Sequence, residues 1–366
     1  MRDSVRRRRQ TAKEIKVKIV ERACTKRGFQ KKGRLAIAIA LTLICFIFYY
    51  RLPADPFDLA NLTEEERAEL IQAEPALIAN LTAHSPYRLG RFCDSGGDCF
   101  IVEQRYWMMR GGLRAQRLIM YELNDKMALT MAYLKTPEIV TTHHLVHERW
   151  PVDPSILTFS YNLMQIAAGF MFEGLSFGGR NDSQPLQQLQ PPRVLQIGMG
   201  GGTATGYLMT LPIQFHLDVV ELEPAVYEAA KRWFDFPQAP NINVHIMDGV
   251  VFVKEAAESG LTFDSLLLDA SSNAPNATIV CPHPVFMEDD VLEAMSKVIR
   301  KFESHFRSCS AIRILSNGQK FLVCTNRDGF GWTKARARIL ANLEQFDDVM
   351  GTSIAPYLDR LNPVTE

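Results

Sequence analysis

The second half of the chain alternates apolar runs of four to six residues with longer amphipathic stretches. The short runs have the length of strands, and the stretches between them have the periodicity of helices. Runs without a polar face predict strands buried on both sides, as in a parallel sheet that carries helices on both faces. The predicted strands are 194–197, 217–222, 244–247, 263–268 and 320–325, and the helices after them end near 211, 234, 258, 302 and 346.

The pattern before this α/β domain is different. Residues 85–154 hold short strand-like runs separated by glycines, which predicts a small β-rich module. An apolar run over 157–172 predicts a helix, and we place the α/β domain at 155–366. Further upstream, Thr63 and the acidic residues after it predict the start of a helix. At the other end, only 349–354 has the pattern of a sixth strand.

One stretch near the start carries no charge. Residues 35–50 are sixteen uncharged, mostly apolar residues between basic flanks. As a helix they cover about 24 Å, somewhat less than the roughly 30 Å hydrocarbon core of a bilayer. Tyr49 and Tyr50 suit the headgroup layer, and Arg51 can extend its charge outward. We therefore predict one transmembrane anchor at 35–51 rather than a cleaved signal peptide, because no small-residue cleavage site follows it.

The charges on the two sides of this anchor have opposite sign. The chain has 41 basic and 41 acidic side chains, but residues 1–34 hold fourteen basic and three acidic ones, so their net charge is +11 and the rest carries −11. Basic flanks remain in the cytosol. We expect a cytosolic arm at 1–34, a connector at 52–84, and a body that is luminal or extracellular, in the endoplasmic reticulum or Golgi. The arm suits contact with anionic lipid, and no nucleic-acid partner is expected.

Two further features agree with a body outside the cytosol. Cys93 and Cys99 flank a turn-rich loop that a disulfide can close in an oxidising compartment, although two reduced cysteines fit the same spacing. Four Asn-x-Ser/Thr sequons, typical of glycoproteins, follow the anchor, at Asn61, Asn80, Asn181 and Asn276.

A glycine cluster stands between the first strand of the α/β domain and the helix after it. Gly198, Gly200 and Gly202 allow a sharp turn and a close approach of a ligand to the backbone. Glu221 ends the next strand, where a carboxylate can accept the hydroxyls of an adenosine ribose. The alternative for Glu221 is a solvated acid at a strand end. Glu223 competes for the same role, but it precedes a proline and fits a helix cap better.

Two more acids end the third and fourth strands. Asp248, followed by Gly249, can accept a hydrogen bond from an adenine amino group, or it can cap the next helix. Asp269 lies at the same edge of the sheet, because the carboxyl ends of parallel strands meet there. The sequence thus predicts one ligand crevice at this edge. The histidine and glutamate side chains at 143–148 have no third ligand at a suitable spacing, so no metal site is predicted.

These motifs resemble those of a known family. They are similar to S-adenosylmethionine-dependent methyltransferases built on the spermidine-synthase type of fold, and in particular to the C-terminal half of the dual methyltransferases that modify elongation factor 1-alpha. The similarity covers roughly 155–300 and lies in VLQIGMGGGTATGYL, DVVELEPAVYEAAKRWFDF, VHIMDGVVFV and FDSLLLDASSNAPN. The segment CPHPVF at 281–286 and the pair Ser160-Tyr161 strengthen it.

The resemblance implies a Rossmann-like class I methyltransferase sheet with S-adenosylmethionine as cofactor. The implied cofactor-binding residues are those of the crevice, namely Gly198, Gly200, Gly202, Glu221, Asp248 and Gly249. Asp269 would face the reacting centre, where it accepts a proton or orients the acceptor. Tyr161 and Asn273 are candidate helpers, and the alternative for Tyr161 is a core aromatic on an amphipathic helix. A seven-stranded sheet of this type needs one more strand than the sequence offers, so we expect the last antiparallel strand to be absent.

The residues after Asp269 favour one of the two reactions that proteins of this fold catalyse. In aminopropyltransferases of this fold an Asp-Ser-Ser-Asp run supplies two acids for the amine, whereas Asp269 is followed here by Ala-Ser-Ser-Asn. Losing one carboxylate weakens recognition of a multiply charged amine. We therefore favour methyl transfer to an amine of a protein or small molecule. Aminopropyl transfer from decarboxylated S-adenosylmethionine, a pseudoenzyme of this fold, and a homodimer are left open.

Overall fold

The computed structural model describes residues 62–94, 96–177, 191–271, 281–298, 308–313, 320–325 and 332–358. The chain divides into two compact units, Met1–Glu69 and Leu70–Glu366. The predicted basic arm, the anchor at 35–51 and the first part of the connector lie outside the described residues. Within the described ranges, none of the helices combines the length and the apolar character needed to cross a bilayer.

Helix α1 (Glu64–Ala83) begins where the sequence predicts. Thr63 Oγ1 accepts a hydrogen bond from the N–H of Glu66 at 3.2 Å, and the Glu66 carboxylate accepts one from the N–H of Thr63 at 3.0 Å. This reciprocal capping box satisfies two of the donors that a helix start leaves free. The acidic first turn also complements the positive end of the helix dipole.

The predicted β-rich module is a five-stranded antiparallel sheet in which each strand pairs with the next along the chain. Its fifth strand extends three residues past the boundary expected at 154. The strands are β1 (Tyr87–Cys93), β2 (Cys99–Met109), β3 (Gly112–Tyr121), β4 (Asn124–Leu134) and β5 (Val152–Leu157).

A disulfide closes the first hairpin of this sheet. Cys93 and Cys99 stand opposite each other in the register of β1 and β2, and their sulfur atoms are bonded. The disulfide that the loop composition allowed is therefore present. Cys324 is also disulfide-bonded, and Cys281 is free.

The α/β domain follows as a parallel sheet of β6 (Arg193–Ile197), β7 (His216–Glu221), β8 (Ile242–Ile246) and β9 (Ser265–Leu268), which lie in the order β8-β7-β6-β9. The chain reverses its direction of winding next to β6, and this switch opens a crevice at the carboxyl ends of the strands. The same part of the chain holds the helices α2 (Ser160–Met171), α3 (Thr203–Leu208), α4 (Pro224–Trp233), α5 (Gly249–Glu258) and α6 (Asp289–Val298).

The parallel sheet is covered on both faces, as predicted. Val194 and Val219 belong to a core shared with α2, α3, α4 and the C-terminal helix α7 (Trp332–Met350). Their neighbours Leu195 and Val220 belong to a second core, built with α5 and α6. Adjacent residues of one strand thus point to opposite faces and find apolar partners on each.

The C-terminal strands differ from the prediction. β11 (Lys320–Thr325) is a strand, but it pairs antiparallel with β10 (Ser308–Arg313) in a separate two-stranded sheet and is not the fifth parallel strand. The predicted strand at 349–354 is wrong. α7 ends at Met350, and the Asp347 carboxylate accepts the N–H of Ile354 at 2.7 Å, so a side chain takes the place of a strand partner. A short helix, α8 (Ala355–Leu358), follows.

A buried arginine joins the antiparallel sheet to the α/β domain. Arg117 on β3 is 2% exposed. Its guanidinium donates to the side chain of Gln104 at 2.8 Å and to the main-chain carbonyls of His147 at 2.9 Å, Trp150 at 3.0 Å and Trp233, the last residue of α4. Burial lowers the pKa of Arg117 to about 10, which still leaves it charged at neutral pH. Arg117 therefore connects β3 to the end of α4 and to the segment before β5, and the carbonyl oxygens of these segments stabilise its charge.

Replacing Arg117 with alanine should lower the free energy of unfolding by about 3 kcal/mol or more, because it leaves several buried acceptors without a donor. Arg114→Ala, at a half-buried position of the same strand, is the matched control and should change stability by less than about 0.5 kcal/mol. Denaturant unfolding of the full chain measures both. Equal stabilities of the two variants would show that Arg117 does not carry this interface.

Candidate functional site

The loop between β6 and α3 has a backbone that requires glycine. Gly198, Gly200 and Gly202 all have positive φ, at 86°, 54° and 77°. A Cβ atom on Gly198 would lie 2.3 Å from the main-chain oxygen of Asp269, and one on Gly200 would lie 2.4 Å from the hydroxyl of Thr130. No side chain fits at these distances, so the loop can pass between β9 and β4 only as bare backbone.

Thr130 of β4 supports this loop from the antiparallel sheet. Its hydroxyl is buried and accepts the N–H of Gly201 at 2.8 Å. The β-rich module is therefore part of the site rather than a separate appendage. Sequence reasoning missed this residue, because no local motif marks a threonine in mid-strand as a partner of a loop 71 residues further on.

Glu221 ends β7 directly beside the loop. Its carboxylate is 7% exposed and accepts the N–H groups of Met199 at 2.9 Å, Gly200 at 3.2 Å and Glu223 at 3.0 Å. Burial raises the pKa of Glu221, and these hydrogen bonds oppose that rise. Glu221 is thus not the solvated strand-end acid of the alternative reading. A ribose hydroxyl would share the carboxylate with the loop rather than hold it alone.

Glu223 occupies the N-cap position of α4, as expected, but its side chain makes no capping hydrogen bond. Burial, together with a hydrogen bond to Asp94 and its negative charge, raises the pKa of Glu223 to about 7. Asp94 lies in the loop that the Cys93–Cys99 disulfide closes, and it accepts the N–H of Asp98 at 2.8 Å. The disulfide loop therefore stands at the edge of the site, a proximity that local sequence does not indicate.

Asp248 caps α5. Its side chain is exposed and accepts the N–H of Val250 at 2.7 Å, so the helix-cap interpretation is confirmed. A cap occupies only part of a carboxylate, which leaves acceptor capacity for a ligand. At Gly249 a Cβ would lie 2.6 Å from Cγ2 of Ile197, the last residue of β6. The start of α5 therefore packs directly against the strand that leads into the glycine loop.

Asp269 follows β9, and among the described residues three side chains donate to its carboxylate. One carboxylate oxygen accepts from the Asn162 amide at 3.0 Å and from the Tyr161 hydroxyl at 3.2 Å, and the other from the Cys281 thiol at 3.6 Å. Burial raises the pKa of Asp269. Burial and the negative charge of Asp269 also raise the pKa of Tyr161 and bring that of Cys281 to about 12. Tyr161 therefore belongs to the site and not only to the core.

The structure thus brings the predicted residues to one edge of the parallel sheet. Gly198 touches the main chain of Asp269, Glu221 binds the loop, and Gly249 packs on the end of β6. Sequence reasoning missed Asn162 and Cys281 as members of the site, although Cys281 begins the segment CPHPVF and Asn162 directly follows the pair Ser160-Tyr161. The histidine cluster has another role: His147 bonds the hydroxyl of Tyr106 at 2.8 Å and packs on Tyr87.

A parallel sheet in this strand order, with a glycine loop at its switch point and acids at the strand ends, defines a Rossmann-like α/β domain. Domains of this class bind nucleoside-containing ligands at that crevice.

Comparison with known proteins confirms the resemblance stated above. The eEF1A lysine and N-terminal methyltransferase of Xenopus laevis is 32% identical over 107 residues, and its Homo sapiens counterpart 30% identical over 119 residues. These matches cover 29% and 30% of this chain but only 15% and 16% of those proteins, so the chain spans about a sixth of their length. A polyamine aminopropyltransferase of Vibrio vulnificus is 41% identical over 81 residues, which are 22% of this chain and 27% of that enzyme.

Two solved structures align with parts of this chain. Human methyltransferase-like protein 13 in complex with SAH is 21% identical and has a TM-score of 0.44, covering 53% of this chain and 94% of that one. A probable spermidine synthase from Corynebacterium glutamicum is 15% identical and has a TM-score of 0.46, covering 69% and 86%. No family model matches this chain.

Proposed function

We propose that this chain is a membrane-anchored methyltransferase that uses S-adenosylmethionine and methylates an amine of a protein or small molecule. The observation that carries the proposal is the convergence of the Gly198–Gly202 loop, Glu221, Asp248 and Asp269 at the switch point of the parallel sheet. The relatives named as methyltransferases support the same reaction class.

The site fits such a cofactor on several counts. Gly198, Gly200 and Gly202 carry no side chains that would cover the backbone of the loop, so the methionine part can lie close to that backbone. Glu221 offers a carboxylate beside that loop for a ribose hydroxyl, and Asp248 offers one at the next strand end for the adenine amino group. Together these groups suit a nucleoside that carries an amino-acid tail.

When bound, the cofactor supplies a methyl group that its sulfonium already activates, so the protein needs mainly to position the acceptor and keep it unprotonated. Asp269 is the group for that task. It is held in place by donors on both oxygens, and burial raises its pKa, which makes it a better proton acceptor than an exposed aspartate. Tyr161, which shares a carboxylate oxygen with Asn162, would orient the amine.

Aminopropyl transfer is the second candidate, and the similarity to the Vibrio vulnificus aminopropyltransferase favours it. Against it stands the sequence after Asp269, which lacks the second acid of the Asp-Ser-Ser-Asp run. One carboxylate gives a multiply charged amine a single anionic partner.

Calorimetric titration of the full chain with S-adenosylmethionine, decarboxylated S-adenosylmethionine and methylthioadenosine separates these activities. We expect S-adenosylmethionine to bind at least about tenfold more tightly than the decarboxylated form, because a methyltransferase must hold the carboxylate of its cofactor. Tighter binding of the decarboxylated form would contradict methyl transfer and support aminopropyl transfer. Binding of none of the three would contradict both activities and leave a pseudoenzyme.

The membrane anchor and the side of the membrane are part of the same proposal. The uncharged segment at 35–50 with its basic flank supports an anchor whose N-terminus is cytosolic. The Cys93–Cys99 disulfide and the disulfide-bonded Cys324 support an oxidising compartment for the body. A luminal body would not meet elongation factor 1-alpha, a cytosolic protein, so we propose a different amine acceptor.

Glycosidase treatment of the membrane-inserted full chain tests this orientation. We expect the glycosidase to increase the gel mobility of the chain, because Asn80 is an exposed sequon residue on α1 and a luminal body would be glycosylated there. The variant Asn80→Gln should remove one step of that shift and serves as its control. An unchanged mobility of a chain shown to be membrane-inserted would contradict a luminal body.

A further inference from the structure

Asp269 is surrounded by neutral donors. Among the described residues, the groups that act on its carboxylate are the Asn162 amide, the Tyr161 hydroxyl and the Cys281 thiol, and none of these carries a positive charge. The amide makes the shortest of these contacts, at 3.0 Å. A thiol is a weak donor, and a phenol can rotate its proton elsewhere. The amide is therefore the donor best suited to hold this carboxylate in one direction.

Asn162 is itself held by a second amide on the same helix. It is 4% exposed, and its nitrogen lies 3.5 Å from the side-chain oxygen of Gln165, one turn further along α2. The Gln165 nitrogen donates to the main-chain carbonyl of Leu268 at 2.9 Å. Leu268 is the last residue of β9 and directly precedes Asp269. Two amides therefore tie α2 both to the end of the strand and to the carboxylate that follows it.

We propose that Asn162 is a positioning residue that fixes the direction of the Asp269 carboxylate and stabilises its ionised form, with Gln165 holding the amide in register. A hydrogen bond to the charged form of an acid favours that form, which opposes the effect of burial. The inference rests on the proposed function only where it assigns the reacting centre to Asp269. It assigns a donor that offsets the effect of burial on a single carboxylate, which lacks the second acid of the aminopropyltransferases.

The first measurement needs no ligand. The full chain, labelled with carbon-13 at the aspartate carboxyl, is titrated by NMR, and Asp269→Asn assigns the signal. In Asn162→Leu, which keeps the volume and removes the donor, we expect the Asp269 midpoint to rise by about one pH unit, since hydrogen bonds to charged groups have that strength. Gln165→Leu should raise it by a smaller amount, because it frees the Asn162 amide without removing it. This second variant keeps the test decisive where Asn162→Leu does not fold.

Asn342→Leu is the matched control. The Asn342 amide also donates to a carbonyl of α2, that of Met171 at 3.2 Å, and it is distant in the chain from Asp269. The same substitution should leave the Asp269 midpoint unchanged. An unshifted midpoint in both Asn162→Leu and Gln165→Leu, with each variant folded, would overturn the inference whatever the chain binds.

The second measurement connects this carboxylate to the reacting centre. S-adenosylmethionine carries a positive sulfur and S-adenosylhomocysteine a neutral one, so the ratio of their affinities reports negative charge near the sulfur. A group that would contact a part shared by the two molecules, such as Glu221, affects both affinities alike and drops out of the ratio. Tyr161 and Cys281, whose pKa values are raised, stay neutral between pH 4 and 8. We expect the preference for S-adenosylmethionine to fall as Asp269 is protonated, and at a higher pH in Asn162→Leu. A shifted NMR midpoint with a ratio independent of pH would support the positioning role and contradict the proposed function.

Discussion

The site depends on the close packing of the glycine loop between the end of β9 and the side of β4. At Gly198 and Gly200 of this loop, the space for a Cβ is already taken by Asp269 and Thr130. Because nothing larger than glycine fits, the positions of the two sheets fix the path of the loop. That path in turn aligns the N–H groups of Met199 and Gly200 toward Glu221.

The antiparallel module consequently supports the candidate site of the α/β domain through direct contacts. Arg117 connects this module to the end of α4, and Thr130 accepts a hydrogen bond from the glycine loop. The disulfide loop brings Asp94 to Glu223 at the edge of the crevice. A module that the sequence marks only as β-rich therefore sets the geometry of a site whose motifs all lie elsewhere.

Local patterns predicted the parts of this structure that local physics determines. The capping box at Thr63 and the glycine loop are each encoded within a few residues. The convergence of Glu221, Asp248 and Asp269 followed from strand order, because the carboxyl ends of parallel strands lie at one edge of the sheet.

The wrong predictions concern pairings between segments that are distant in the chain. β11 has the composition of a parallel strand, and only its pairing with β10 shows otherwise. The segment after Met350 resembles a strand until the Asp347 carboxylate takes its main-chain donors. The hydrogen bonds of Asn162 and Gln165 were missed for the same reason. Their partners, Asp269 and Leu268, lie more than 100 residues away along the chain, and no pattern within α2 points to them.

The central claim is that an adenosyl sulfonium binds where the glycine loop, Glu221 and Asp248 meet. Titration of S-adenosylmethionine into Glu221→Ala and Gly200→Asp, with Glu255→Ala on the exposed side of α5 as control, tests it most directly. We expect the affinity to fall about tenfold or more in both site variants and to stay unchanged in the control. Glu221→Ala loses a hydrogen bond from a charged group, and Gly200→Asp places a side chain where Thr130 already lies. Undiminished affinity in both site variants, with circular dichroism showing that they are folded, would contradict it.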